Sequence, residues 1–147
     1  MSQEDYVTVR VAGQLFGINA AAVQDVFYPR GLAPVPTARE KVEGLLNLRG
    51  RIVTAICARR RLALPPRAAE GAEPKAVGVE INGDSYGLIV DDVEEVVRIP
   101  DDRLLTPPGS MPARWSDLIK SIFRMEHEIL VVLDVRRLLA PDQPAAA

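Results

Sequence analysis

Apolar and polar residues alternate at the start of the chain: Val7, Val9 and Val11 fall on one side of an extended segment, Thr8 and Arg10 on the other. The alternation returns at Val77, Val79 and Ile81. A period of two predicts a half-buried strand at each place. Ala12-Gly13 and Asn82-Gly83 follow, and Asn-Gly is the stronger hairpin signal, because a tight primed turn demands positive φ. A further strand is predicted over residues 15–18 and again over 85–90. Residues 20–26 and 91–96 read as a short helix leading into a strand, and the alanine run favours helix in the first. Residues 51–56 and 128–133 are apolar, β-branched runs. Each leads into a short amphipathic stretch, 58–64 and 134–139, that reads as helix.

These recurrences are an internal repeat. Shifted by 70, residues 9–26 align without a gap on residues 79–96, with five identities in 18 positions: Val9/Val79, Gly13/Gly83, Gly17/Gly87, Val23/Val93 and Val26/Val96. Typical residue frequencies give about one identity in such a window. Shifted by 77, residues 51–63 align on 128–140, and Arg59/Arg136 and Arg60/Arg137 match outright. The chain therefore reads as a duplicated unit of about 65 residues, with an insertion inside the second copy.

Many short strands punctuated by Gly and Pro predict a mainly β fold, two small barrels or sandwiches with short helices. A unit of this size buries too little surface to be stable alone, so the copies are expected to pack on each other and share a core. One domain over residues 5–140 is expected, made of subdomains at about 5–64 and 76–140. A Pro- and Ala-rich linker spans 65–75, a second Pro-rich loop spans 106–114, and 141–147 form a frayed tail. Composition adds little: 48% hydrophobic, 26% charged and a net charge of −2 suit a globular chain and give no basic footprint for nucleic acid. No stretch reaches the roughly 18 apolar residues that span a membrane, and the acidic start does not read as a secretory signal. One cysteine, Cys57, provides no disulfide framework and fits a reducing compartment.

Several motifs in order carry a resemblance. They are Phe16-Gly17-Ile18, Val23-Gln24-Asp25-Val26, Asn47-Leu48-Arg49-Gly50, Gly87-Leu88-Ile89-Val90-Asp91 and the apolar run over 129–139. Together they closely resemble the CheW family over roughly residues 5–140. The resemblance implies two intertwined five-stranded SH3-like β-barrels with strands exchanged between them. It implies a non-enzymatic adaptor without cofactors, which binds the regulatory domain of the histidine kinase CheA and methyl-accepting chemotaxis receptors. Such a protein is cytoplasmic, recruited to membrane-associated receptor arrays without inserting in the membrane, and a monomer in dilute solution. It assigns partner binding to Val23, Asp25, Val26, Gly44, Asn47, Leu48, Arg49 and Gly50. The chain departs from the family pattern at Thr54 and at Cys57-Ala58-Arg59, where the family often has Pro and then Asp-Leu-Arg. The missing acid removes a polar contact at the start of the following helix. A divergent relative that keeps one partner, or serves a pathway other than motility, is the alternative.

Each candidate also has a plainer reading. Arg49 beside Gly50 suits a strained turn and a surface ion pair as well as a partner's carboxylate. Val26 reads as core, while Val23 and Asp25 are expected at a contact. Cys57 reads as a buried structural thiol. His127, between Glu126 and Glu128, lacks further ligands at metal spacing. Asp91, Asp92, Glu94 and Glu95 alternate with valines as a solvated face. Arg59, Arg60 and Arg61 are either solvated or set against an acidic partner. Trp115 is either an exposed anchor or packed under its loop. A small enzyme on a β-barrel is the competing class, which a deep pocket with convergent polar groups would favour.

Overall fold

Two-residue turns set the register. The computed structural model describes residues 2–33, 42–65 and 73–139. Its elements run β1 (Gln3–Val11), β2 (Gln14–Asn19), β3 (Val23–Phe27), β4 (Val42–Leu48), β5 (Arg51–Cys57), α1 (Ala58–Arg61), β6 (Lys75–Ile81), β7 (Asp84–Val90), β8 (Asp92–Pro100), β9 (Ile119–Arg124), β10 (Ile129–Leu133) and α2 (Val135–Leu139). Three hairpins turn on paired positive φ values: 50° and 83° at Ala12-Gly13, 53° and 84° at Arg49-Gly50, 52° and 86° at Asn82-Gly83. These are primed turns, whose twist matches that of the strands they join.

The protein is mostly β, with two five-stranded sheets. One has the order β8-β1-β2-β10-β9 and the other β3-β6-β7-β5-β4. The repeat maps β1–β5 onto β6–β10, so each sheet takes its first two strands from one copy and three from the other. The joins are the parallel pairs β2–β10 and β5–β7 and the antiparallel pairs β1–β8 and β3–β6. In both sheets the chain leaving one edge returns to bridge the other. Ala33 exchanges backbone hydrogen bonds of 2.8 and 3.0 Å with Leu45, and Leu105 exchanges bonds of 2.8 and 2.9 Å with Ile122.

Three apolar clusters fill the molecule. The largest lies between the sheets and draws on both: Val7, Val9, Val11, Phe16 and Val131 from one, Val77, Val79, Ile81, Leu88 and Ile56 from the other. Leu62, Leu138 and Leu139, in and beside the helices, complete it. Each sheet also has its own interior, around Tyr6, Leu15, Ile99 and Leu130 in one and around Leu46, Val53, Ala55 and Ile89 in the other.

β1 is therefore not half-buried. Its valines enter the shared core while Tyr6 and Thr8 are also buried, on the opposite face, so the alternation seen in sequence distinguishes two interiors rather than core from solvent. Residues 20–22 make only a single 3₁₀ turn, and 92–100 are strand throughout, because β1 pairs along that whole segment. β4 and β9 were not marked by alternation at all. Trp115 packs against the shared core, with its ring edge-on to Phe16 at 5.8 Å and its Nε1 donating to the Leu62 carbonyl at 2.8 Å. Cys57 is half-buried rather than buried and precedes α1 without a side-chain cap, whereas its counterpart Asp134 accepts from the Arg137 N–H at 3.2 Å. Of the expected linker, residues 66–72 lie outside the described residues, as does the whole tail 141–147.

Ala12 is in the left-handed region without the tolerance of the Asn found at the equivalent Asn82. Ala12→Asn is expected to stabilise the protein by about 1 kcal/mol, read as a higher urea midpoint at unchanged slope.

Candidate interaction surface

The residues singled out by the motifs lie on β3 and on the β4–β5 hairpin, at the two edges of the second sheet. β3 carries a bulge: Val23 pairs with Val79 but Asp25 with Gly78, leaving Gln24 as the extra residue. An extra residue reverses the phase of alternation and re-aims the side chains that follow. Val23 accordingly packs against the shared core, while Asp25 and Phe27 turn into the second sheet's interior. A Cβ on Gly78 would meet Asp25, and one on Gly87 would meet Phe27. Val26 points the other way and is 45% exposed, so it is surface and not core. Val23 is the core-packed valine, the reverse of the expectation, because the bulge lies between them.

The Asn47-Leu48-Arg49-Gly50 motif is the tip of the β4–β5 hairpin. Asn47 Oδ1 accepts the Gly50 N–H at 2.8 Å, and Arg49 and Gly50 supply the two positive φ values. Leu48 tucks against the interior of the second sheet. Gly44 is buried, with φ of 155°, at a second bulge where β4 gains a residue on β5. Arg49 is exposed and makes no ion pair or side-chain hydrogen bond among the described residues. Arg51 follows the turn and reaches back to Asp25, with Nη2 3.8 Å from Oδ2. That contact brings the hairpin tip to the middle of β3. Tyr28 and Ile52 are exposed as well as Val26, Ile52 being 61% exposed. Neither was singled out by sequence, since Ile52 sits in an unbroken apolar run with no sign of its outward aim.

Other candidates have internal partners. Arg59 binds Asp91 through two nitrogens at 3.0 and 2.6 Å, and Asp91 also accepts the Ala12 N–H. Asp91 is thus a tie between α1 and the β1–β2 turn, not part of a solvated face, and its hydrogen bond holds the Arg59 guanidinium above its ordinary range. Asp92 pairs with Lys75, and Glu94 with Arg10, which also holds Glu128. Arg10 keeps the Glu128 carboxyl below the usual carboxylate range. Arg61 donates to the carbonyls of Leu138 and Arg137 and so caps α2, with burial pushing its guanidinium down.

The mouth of the first sheet's interior is a cleft of about 540 Å³ whose lining includes Glu4, Tyr6, Asp101, Lys120, Val132 and Asp134. Its acids are engaged in local structure: Glu4 with Asn19, Asp101 with Ser2, Asp134 with the first turn of α2. They present no nucleophile beside a base. His127 is 88% exposed, and no cluster of three or more metal-binding side chains occurs among the described residues. No helix there is long and apolar enough to cross a membrane.

Comparison with known proteins matches residues 5–143 to the family model described as the CheW-like domain. The chemotaxis protein CheW of Treponema pallidum (strain Nichols) is 25% identical over 141 residues, covering 94% of this chain and 83% of that protein. CheW of Bacillus subtilis (strain 168) is 22% identical over 144 residues, covering 98% and 92%. The crystal structure of the scaffolding protein TtCheW from Thermoanaerobacter tengcongensis aligns with a TM-score of 0.83 at 26% identity, covering 93% of this chain and 92% of that one.

The turn separates two roles within one motif. Asn47→Ala removes a bond that closes the turn and is expected to cost about 1 kcal/mol in urea unfolding. Arg49→Ala, at an exposed side chain with no ion pair among the described residues, is expected to change stability by less than about 0.5 kcal/mol. An Arg49 loss as large as that of Asn47 would make the arginine structural.

Proposed function

The chain belongs to the CheW-like domain family, and from that premise we propose that it is a non-enzymatic adaptor coupling methyl-accepting chemoreceptors to the regulatory domain of the histidine kinase CheA. The named relatives are chemotaxis proteins and the structural neighbour is a scaffolding protein, and all three carry the name CheW. The observation that carries the finer reading is the surface at the edges of the second sheet. There Arg49 stands on a primed turn without an ion pair among the described residues, and its neighbour Arg51 reaches Asp25 of β3, the strand that also carries exposed Val26.

Such a surface suits an acid-rimmed apolar partner. A planar guanidinium binds carboxylates bidentately, and the turn fixes the backbone from which it reaches out. Apolar neighbours supply the centre of an interface whose rim is polar. Within the motif residues, Val26 and Arg49 make the contact. Val23, Gly44, Asn47, Leu48 and Gly50 hold those two in place from below, while the Asp25 carboxylate is turned inward against Gly78. The pseudo-symmetric build lets barrel surfaces dock on a similar kinase domain, and modest single contacts gain strength when many copies are held in an array. The protein works in the cytoplasm and reaches the membrane through its receptors. A relative that keeps a single partner is the second reading, prompted by Cys57, which leaves α1 uncapped.

Calorimetric titration against the regulatory domain of the cognate CheA tests the proposal. Wild type is expected to bind in the micromolar range, and Arg49→Ala to bind about tenfold more weakly, a loss of about 1.4 kcal/mol. A folded wild type that binds receptor but not kinase would favour the single-partner reading. One that binds neither would end the adaptor reading.

A further inference from the structure

The two bulges are equivalent in the repeat, but their acids are placed oppositely. On β8, Val93 pairs with Val9 and Val96 with Val7, so one residue is extra, as on β3. Glu95 there corresponds to Asp25, and Thr8 on β1 corresponds to Gly78 on β6. Thr8 is 1% exposed, fills the first sheet's interior and donates its hydroxyl to the Glu95 backbone carbonyl. The Glu95 side chain is left exposed. In the second sheet Gly78 leaves that space empty and the Asp25 carboxylate occupies it. A Cβ on Gly78 would lie 2.0 Å from Asp25 Oδ1. Oδ1 is buried and accepts no hydrogen bond among the described residues, and Oδ2 is 3.8 Å from Arg51.

We infer that Gly78 is a positioning residue that keeps the Asp25 carboxylate withdrawn beneath the proposed contact surface, so that Arg49, Val26 and Ile52 meet an acidic partner with no like charge between them. The partner half of this inference rests on the adaptor reading; the placement of Asp25 does not. An unpaired buried carboxylate oxygen is costly, so the arrangement is stable only while no side chain competes for the space. Gly78 is extended, outside the left-handed region, so a threonine is compatible with its backbone and would convert the second sheet to the arrangement of the first. Asp25 would then emerge beside Arg49 and Arg51, where its charge both repels an acidic partner and pairs with the arginines.

Carboxyl labelling with a carbodiimide and glycine ethyl ester, read by mass spectrometry, tests the placement directly. In wild type, Asp25 is expected to label at least several-fold more slowly than Glu95; in Gly78→Thr, or in the smaller Gly78→Ala, at a rate near that of Glu95. Equal rates in wild type, or no change in both folded variants, would overturn the inference whether or not a partner binds. In calorimetry with the kinase regulatory domain, Asp25→Asn is expected to stay within about twofold of wild type. Gly78→Thr is expected to weaken binding about fivefold or more, and Asp25→Asn combined with Gly78→Thr to restore it. Asp25→Asn binding as weakly as Arg49→Ala would make Asp25 a contact residue and overturn the withdrawn role. Wild type that labels as expected but binds no kinase would count against the adaptor reading alone.

Discussion

Val7, Val9 and Val11 of β1 and Val77, Val79 and Ile81 of β6 belong to one core that neither repeat completes by itself. Burying each such side chain stabilises the fold by about 1.5–3 kcal/mol, and a unit of about 65 residues has few others to bury. The chain meets that shortage by exchange: each sheet is seeded by a hairpin of one copy and finished by three strands of the other. Cross-ties follow the same logic. Arg61 of the first copy caps α2 of the second, and Trp115 of the second donates to Leu62 of the first.

The interaction surface is a product of this exchange. β3 leaves the first copy's hairpin to become an edge of a sheet whose centre, β6 and β7, comes from the second copy. The opposite edge of that sheet is β4, and Ala33 bridging to Leu45 brings the two edges together. The bulge at Gln24 then decides which side chains of β3 serve the core and which serve the surface. Arg49 is presented rigidly because Asn47 and Gly50 close its turn. Affinity at such a place depends on pre-organisation more than on area.

The repeat, both strand pairs at its start and the primed turns were legible in the sequence, because each has a strong local cause: alternation, Asn-Gly chemistry, and matching apolar runs. The resemblance to the CheW family rested on short motifs in a fixed order and extended over nearly the whole matched region. What escaped was whatever depends on a partner strand. Nothing in residues 91–96 marks them as strand rather than helix until β1 pairs with them. Val26 and Val23 look alike in sequence, and only a one-residue register shift against β6 sends one outward and the other inward. Asp91 reads as one of four solvated acids because Arg59 lies 32 positions away. Thr8 and Arg10 looked alike on the polar face of β1, but one is enclosed by the first sheet's interior and the other lies between two glutamates.

Trp115, the single tryptophan, reports directly on whether the two copies depend on each other. It lies in the second copy and packs on Phe16 and Leu62 of the first. Residues 1–72 and 73–147, expressed separately, are expected to lack cooperative unfolding as monomers. On mixing they should form a one-to-one complex in which the Trp115 emission shifts to the blue. A cooperatively folded monomer from either half alone, with Trp115 emission unchanged on adding the other, would contradict the shared core as the basis of the fold.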